Sequence, residues 1–308
     1  MSRTVEILQT ILPVVIVLFI GVLCRIKKLI TREGINALKN VVVNITLPAV
    51  LLSAFATTSY SLMDVVVPLL VFFICFAAWG MGKAAGRLLN MPSRFVPYLT
   101  TGFEAGMLGY ALFTMLYGGD RIADIAIVDL GQVLFVFTVY KILLGREGEE
   151  KTDVGGLLKD MILSPIIISI IIGVLIGATG LYRALEPSGI SSIYTACTDF
   201  VSAPTSMIIL LTIGYDLVFD DIPWADTLKV VGLRFVIMMI LRFVFVGIVH
   251  ALGFGSRFNA AANVMFILPP PFVLPVFADD ADQRVYVSSA LSISTLVSII
   301  GFAVLTVI

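Results

Sequence analysis

The 308-residue chain is 59% apolar and only 13% charged, with a net charge of −1 and a mean hydropathy of +1.06. Soluble domains run nearer half apolar and a quarter charged, so the composition predicts an all-α polytopic membrane protein and argues against nucleic acid as a partner. One histidine, His250, and three cysteines in separate apolar runs (Cys24, Cys75, Cys197) supply neither a zinc site nor a disulfide framework; buried, inert thiols are expected, and no cofactor or metal is called for.

A membrane span needs about 20 mostly apolar residues. The first is predicted at 5–24, read as a membrane helix because no small-x-small cleavage site follows it. Span two, 35–56, carries Asn44 one turn before Pro48; the proline kinks the helix, and Asn44 is a candidate for lining a substrate path. Span three, 65–86, ends at Lys83 and Arg87, which anchor its orientation.

Span four, 95–117, contains TTGFEAGMLGYALF (100–113), with Glu104 between Gly102, Gly106 and Gly109. Glycines loosen a helix, although Gly102-x-x-x-Gly106 also reads as a close-packing pattern. An ionisable group inside a span is a functional candidate by default. Desolvation favours the neutral form of a carboxylate, so Glu104 is suited to carry a proton; a structural pair with a nearby arginine is the alternative. Span five, 122–144, places Asp129 and Gln132 one turn apart on a shared face.

A polar loop, 145–160, separates the halves. Span six is predicted at 161–180 and span seven at 193–215, where Asp199 stands near Pro204 as a second path-lining candidate. Span eight, 227–249, holds Arg242 at depth. It suits a structural pair with Glu104 or Asp129, or a grip on a substrate carboxylate; Arg234, nearer the end, is expected to snorkel. Span nine, 258–277, holds Asn263 and then Pro269, Pro270 and Pro271, which must break the helix. Span ten, 285–307, offers Ser292, Ser294 and Thr295, either as a polar lining or bonded to their own helix.

With both termini on the non-cytoplasmic side of the cell membrane, Arg25, Lys27, Lys28, Arg32, Lys39, Lys83, Arg87 and Arg94 fall inside, with Lys141, Arg146, Lys151 and Lys159 of the central loop. Residues 92–113 can be laid over 255–276 at an offset of 163, so that Ser93-Arg94-Phe95 falls on Ser256-Arg257-Phe258. Five spans per half reverse the second half. The chain thus reads as two inverted five-helix repeats, 1–150 and 151–308, with interrupted spans four and nine in matching places, the pattern of a secondary transporter.

VVVNITLPAVLLSAFA (41–56), GFEAGMLGYAL (102–112), ILPPPFVLPVFADD (267–280) and ALSISTLVSIIGFAVL (290–305) together resemble the auxin efflux carrier family, which includes bacterial malate or malonate permease-like members. The resemblance implies a scaffold from 1–60 and 161–220, often a dimer interface and here expected to form a homodimer, and a transport part from 61–150 and 221–308. It implies that spans four and nine cross at their breaks, and that organic anions move by elevator-like access. This chain has Glu104 where the family commonly has Asn, Ala111 where it often has Pro, and Phe272-Val273-Leu274 where an Asn is frequent.

The expected function is therefore secondary transport of small carboxylates coupled to protons or potential. A cation/proton antiporter or sodium-coupled symporter of the same crossed-helix type is the alternative. An intramembrane enzyme is disfavoured because no nucleophile–base pair is evident.

Overall fold

The computed structural model describes residues 3–58, 60, 62–91, 93–140, 142–144, 159, 162–217, 222–278 and 280–307. The central-loop residues Arg146 and Lys151, and Lys141 before them, lie outside this set. Among the described residues every regular element is helical. In chain order the α-helices are α1 (Arg3–Ile26), α2 (Arg32–Val41), α3 (Leu47–Thr57), α4 (Val66–Leu88), α5 (Val96–Leu99), α6 (Tyr110–Tyr117), α7 (Ile122–Phe135), α8 (Pro165–Ala178), α9 (Leu181–Ala184), α10 (Ile190–Ser202), α11 (Thr205–Asp216), α12 (Trp224–Ala251), α13 (Asn259–Met265) and α14 (Ala281–Leu305).

Local chemistry sets many boundaries. Side chains of Thr31, Ser164 and Asp280 accept the Gly34, Ile167 and Gln283 amides and start α2, α8 and α14. Pro48 has no amide to give to the preceding turn, and the chain there forms a π-helical turn, Val42–Thr46, between α2 and α3. Further π turns lie at Ala105–Gly109 and Val136–Tyr140. Pro204 separates α10 from α11.

Six helical runs among the described residues are long and apolar enough to cross a membrane: Arg32–Thr57, Val66–Leu88, Gly119–Leu144, Ile190–Asp216, Trp224–Ala251 and Ala281–Leu305. A seventh appears if Pro165–Ala178 and Leu181–Ser188, bent by 58°, count together. The chain is an integral membrane protein, but among the described residues ten continuous spanning helices are not found. The α-helices within expected spans four and nine, α5, α6 and α13, are each too short to cross, because glycine and proline interrupt them; the apolar part of α1, Ile11–Ile26, is also short.

The chain forms two compact units. The first comprises Met1–Asp64, Gly106–Ala126 and Lys159–Leu217. Its closest packings are α8 on α3 and α1 on α11. A Cβ on Gly21 would lie 2.2 Å from the Leu211 carbonyl oxygen, and one on Gly214 would lie 2.1 Å from that of Leu18. Within a bilayer lipid tails match apolar side chains, so such close backbone approach at small residues supplies the association energy. Near the end of α11, Asp216 accepts from Arg32 and Lys39, and Arg25 donates to the Leu217 carbonyl; cations suit a helix C-terminus.

The second unit comprises Val65–Ala105, Ile127–Leu158 and Val218–Ile308. Here α12 packs on α4, α5 and α14. Aromatic pairs fill its core: Tyr98 with Tyr140 at 5.3 Å between centroids, and Phe103 with Phe266 at 5.2 Å. Cys24 and Cys75 are buried as expected, but Cys197 is exposed on α10, whose outer face the sequence run did not reveal.

Candidate functional site

In the second unit the two interrupted stretches meet. After α5 the chain leaves helical geometry at Gly102, Phe103 and Glu104, and after α13 it does so again through Pro269–Pro271. Each break frees amides and carbonyls that a helix would have paired. Glu104 recovers two of them. Its own N–H donates to the Pro269 carbonyl at 2.9 Å, and its Oε2 accepts the Phe272 amide at 2.6 Å. In an unbroken helix that Phe272 amide would point at the Leu268 carbonyl.

Arg234, on α12, takes the freed carbonyls. It is only 5% exposed. Its Nη2 donates to the Gly102 carbonyl at 2.7 Å and to that of Leu268 at 2.8 Å; its Nη1 reaches Leu99 at 3.1 Å and Thr101 at 3.5 Å. The guanidinium carbon also lies 6.0 Å from the Phe103 ring centroid. The planar fork of Arg can serve several acceptors at once, so one side chain binds both breaks. The expectation that Arg234 snorkels is thereby corrected.

Behind span four, Gln132 accepts the Phe103 amide at 3.3 Å and donates to Asp129 Oδ1 at 2.7 Å; both side chains are buried. Phe103 thus finds an acceptor outside its helix. Arg242 is half-buried and donates through Nε, at 3.1 Å, and Nη2 to Oδ1 of Asn263, joining α12 to α13. An amide oxygen, rather than a carboxylate, meets it in these bonds. Ser292 is buried on α14, and the Thr295 hydroxyl bonds its own helix at Leu291.

Residues 6–306 match the family described as membrane transport protein. The chain belongs to that family. It is the auxin efflux carrier family that the motifs resemble. A relative in Methanothermobacter thermautotrophicus, named an uncharacterized transporter, is 22% identical over 311 residues, covering 97% of each chain. Another so named, in Methanocaldococcus jannaschii, is 23% identical over 220 residues, covering 68% of each.

This membrane transport protein has a second feature, in its first unit: a cavity of about 710 Å³ that includes Asp199 and Asp120 in its wall. Hydroxyls of Thr57, Thr195, Ser202 and Thr205 also line it, and each donates to a backbone carbonyl of its own helix or, for Thr205, of the preceding one. Among the described residues lining it, Asp120 and Asp199 are the charged ones. Asn44 does not reach this wall; it is exposed and donates to the Asn40 carbonyl at 2.9 Å. Gly106 is half-buried in the π turn after Glu104.

In this family member Gly102 is required twice over. Its φ is +68°, and a Cβ there would sit 2.9 Å from Cγ of Pro271. Gly102→Ala is expected to cost about 1–2 kcal/mol for the left-handed backbone and a further ~1–3 kcal/mol for overpacking. A melting midpoint in detergent equal to that of the parent would contradict the close approach.

Sequence reading missed Arg234. The signal for it is stoichiometric: two broken spans leave several carbonyls at membrane depth, and the buried donor must come from a neighbouring span.

Proposed function

We propose that the chain is a secondary active transporter of small organic anions, auxin-like or dicarboxylate acids, working by elevator-type alternating access with proton or potential coupling. The observation that carries this reading is the pair of bonds by which Glu104 joins the two breaks. Irregular backbone at membrane depth is tolerated where it is enclosed by protein or lines a wet path, and paired broken helices mark substrate sites in carriers.

Two inverted five-helix repeats are part of the proposal. Packing within the first unit supports it: swapping the halves exchanges spans one and six and spans two and seven, which turns the α1–α11 pair into the α8–α3 pair. Residues 1–60 and 161–220 act as the scaffold and join a second copy as a homodimer. The transport part, 61–150 and 221–308, carries the crossing. Both termini face the non-cytoplasmic side of the cell membrane.

Glu104 supplies the coupling chemistry. Its carboxylate holds the Phe272 amide, a donor that a substrate carboxylate also wants. Protonation weakens that hold, because a neutral carboxyl is a poorer acceptor, and the amide becomes available to the anion. One proton then accompanies one carboxylate. Asp129, Gln132, Pro269, Pro270 and Pro271 form the surroundings, with Asn263, Arg242 and Ser292 more remote in the same unit; Gly106, Asn44 and Asp199 are candidate substrate contacts of the first unit.

Solid-supported-membrane recordings of reconstituted protein test this. A current evoked by malonate or indole-acetate at fixed sodium is expected. A current evoked by sodium alone would instead identify a cation carrier.

A further inference from the structure

We propose that Arg234 is a tethered cation that keeps metal ions out of the crossing. The inference rests on the carrier reading above and specifies why no alkali cation is needed there. Carbonyl oxygens freed by broken helices are the groups that replace the water shell of Na+ or K+ in membrane sites. In this chain those oxygens are gathered from both spans, yet a guanidinium already stands among them. The Leu99, Gly102 and Leu268 oxygens lie 3.1, 2.7 and 2.8 Å from its nitrogens, and Leu268 also meets Nε at 3.3 Å.

A metal ion entering this place would find its ligands engaged and a like charge within contact range, in a buried setting where that repulsion is weakly screened. Covalent attachment prevents the guanidinium from leaving with the cargo. It also fixes the two breaks to each other, so the crossing is held in register without an exchangeable ion. Arg234 is thus a positioning residue that also sets ion selectivity, and its removal should uncover a latent cation site.

The test uses purified full-length wild type, Arg234→Gly and Arg234→Lys, melted in detergent in choline, sodium or guanidinium chloride at about 100 mM, where a bound ion raises the midpoint by mass action. The wild type is expected to melt alike in choline and sodium. Arg234→Gly should melt lower and regain several degrees in sodium, and in guanidinium when compared with the wild type's own response to that salt. Arg234→Lys should fall between them and ignore sodium.

A wild-type midpoint that rises in sodium overturns the proposal, as does a folded Arg234→Gly that does not respond to sodium, whether or not it responds to guanidinium. Should Arg234→Gly fail to fold, the other two proteins decide: indifference of both to sodium upholds the assignment, and a rise in either overturns it. A sodium-indifferent wild type that also gives no organic-acid current would refute the carrier reading while leaving the role of Arg234 intact.

Discussion

Arg234→Met should destabilise the protein by about 3–5 kcal/mol, the range for removing one member of a buried charged network. Two effects oppose each other. Losing the guanidinium relieves a desolvation cost of several kcal/mol, and methionine fills similar space. Against that, the carbonyls of Leu99, Gly102 and Leu268 lose their donor. An unsatisfied buried polar group costs about 1–3 kcal/mol. These acceptors belong to the backbone, so no substitution removes them with their partner. The loss therefore outweighs the gain, and the melting midpoint in detergent should fall by roughly 10 °C. An unchanged midpoint would mean that water serves the carbonyls as well as Arg234 does.

Glu104→Gln should leave the fold intact and flatten the pH dependence of transport. The glutamine oxygen can still accept the Phe272 amide, now as a neutral acceptor, and the backbone bond from residue 104 to Pro269 does not involve the side chain. What disappears is the ability to gain and lose a proton. Wild-type uptake should fall as pH rises, since deprotonated Glu104 competes with the substrate for that amide. Glu104→Ala should behave differently: the Phe272 amide loses its acceptor, at a cost of about 1–3 kcal/mol. Uptake measured across pH in proteoliposomes separates the three proteins. A Glu104→Gln variant with the parental pH profile removes Glu104 from the coupling step.

Parts of this site were legible in the sequence and parts were not, for physical reasons. The breaks could be read from Gly102 and from Pro269 to Pro271, because missing Cβ atoms and missing amides act locally. Glu104 stood out because a carboxylate in an apolar run is rare. The partners of Arg234 could not be read: they lie 34 to 135 residues away in sequence. Its depth was also misjudged. α12 begins at Trp224, so Arg234 lies ten residues in, about 15 Å along the axis, too far for a side chain on this inward face to snorkel. For Arg242 the sequence suggests a carboxylate of the protein or of a substrate as partner, whereas the polar group facing it from α13 is Asn263. The count of crossing helices also differs, because the features that mark spans four and nine are those that shorten their helices.

The most direct measurement places a single cysteine at position 292, where Ser292→Cys keeps the size of the side chain and leaves Glu104 in place, after Cys24, Cys75 and Cys197 are replaced by serine, and exposes reconstituted protein to a membrane-impermeant thiol reagent from one face at a time. Labelling from either face, slowed in both cases by malonate, is the expected result for a crossing that opens alternately. Labelling confined to one face, or indifferent to substrate from both, would contradict the carrier mechanism.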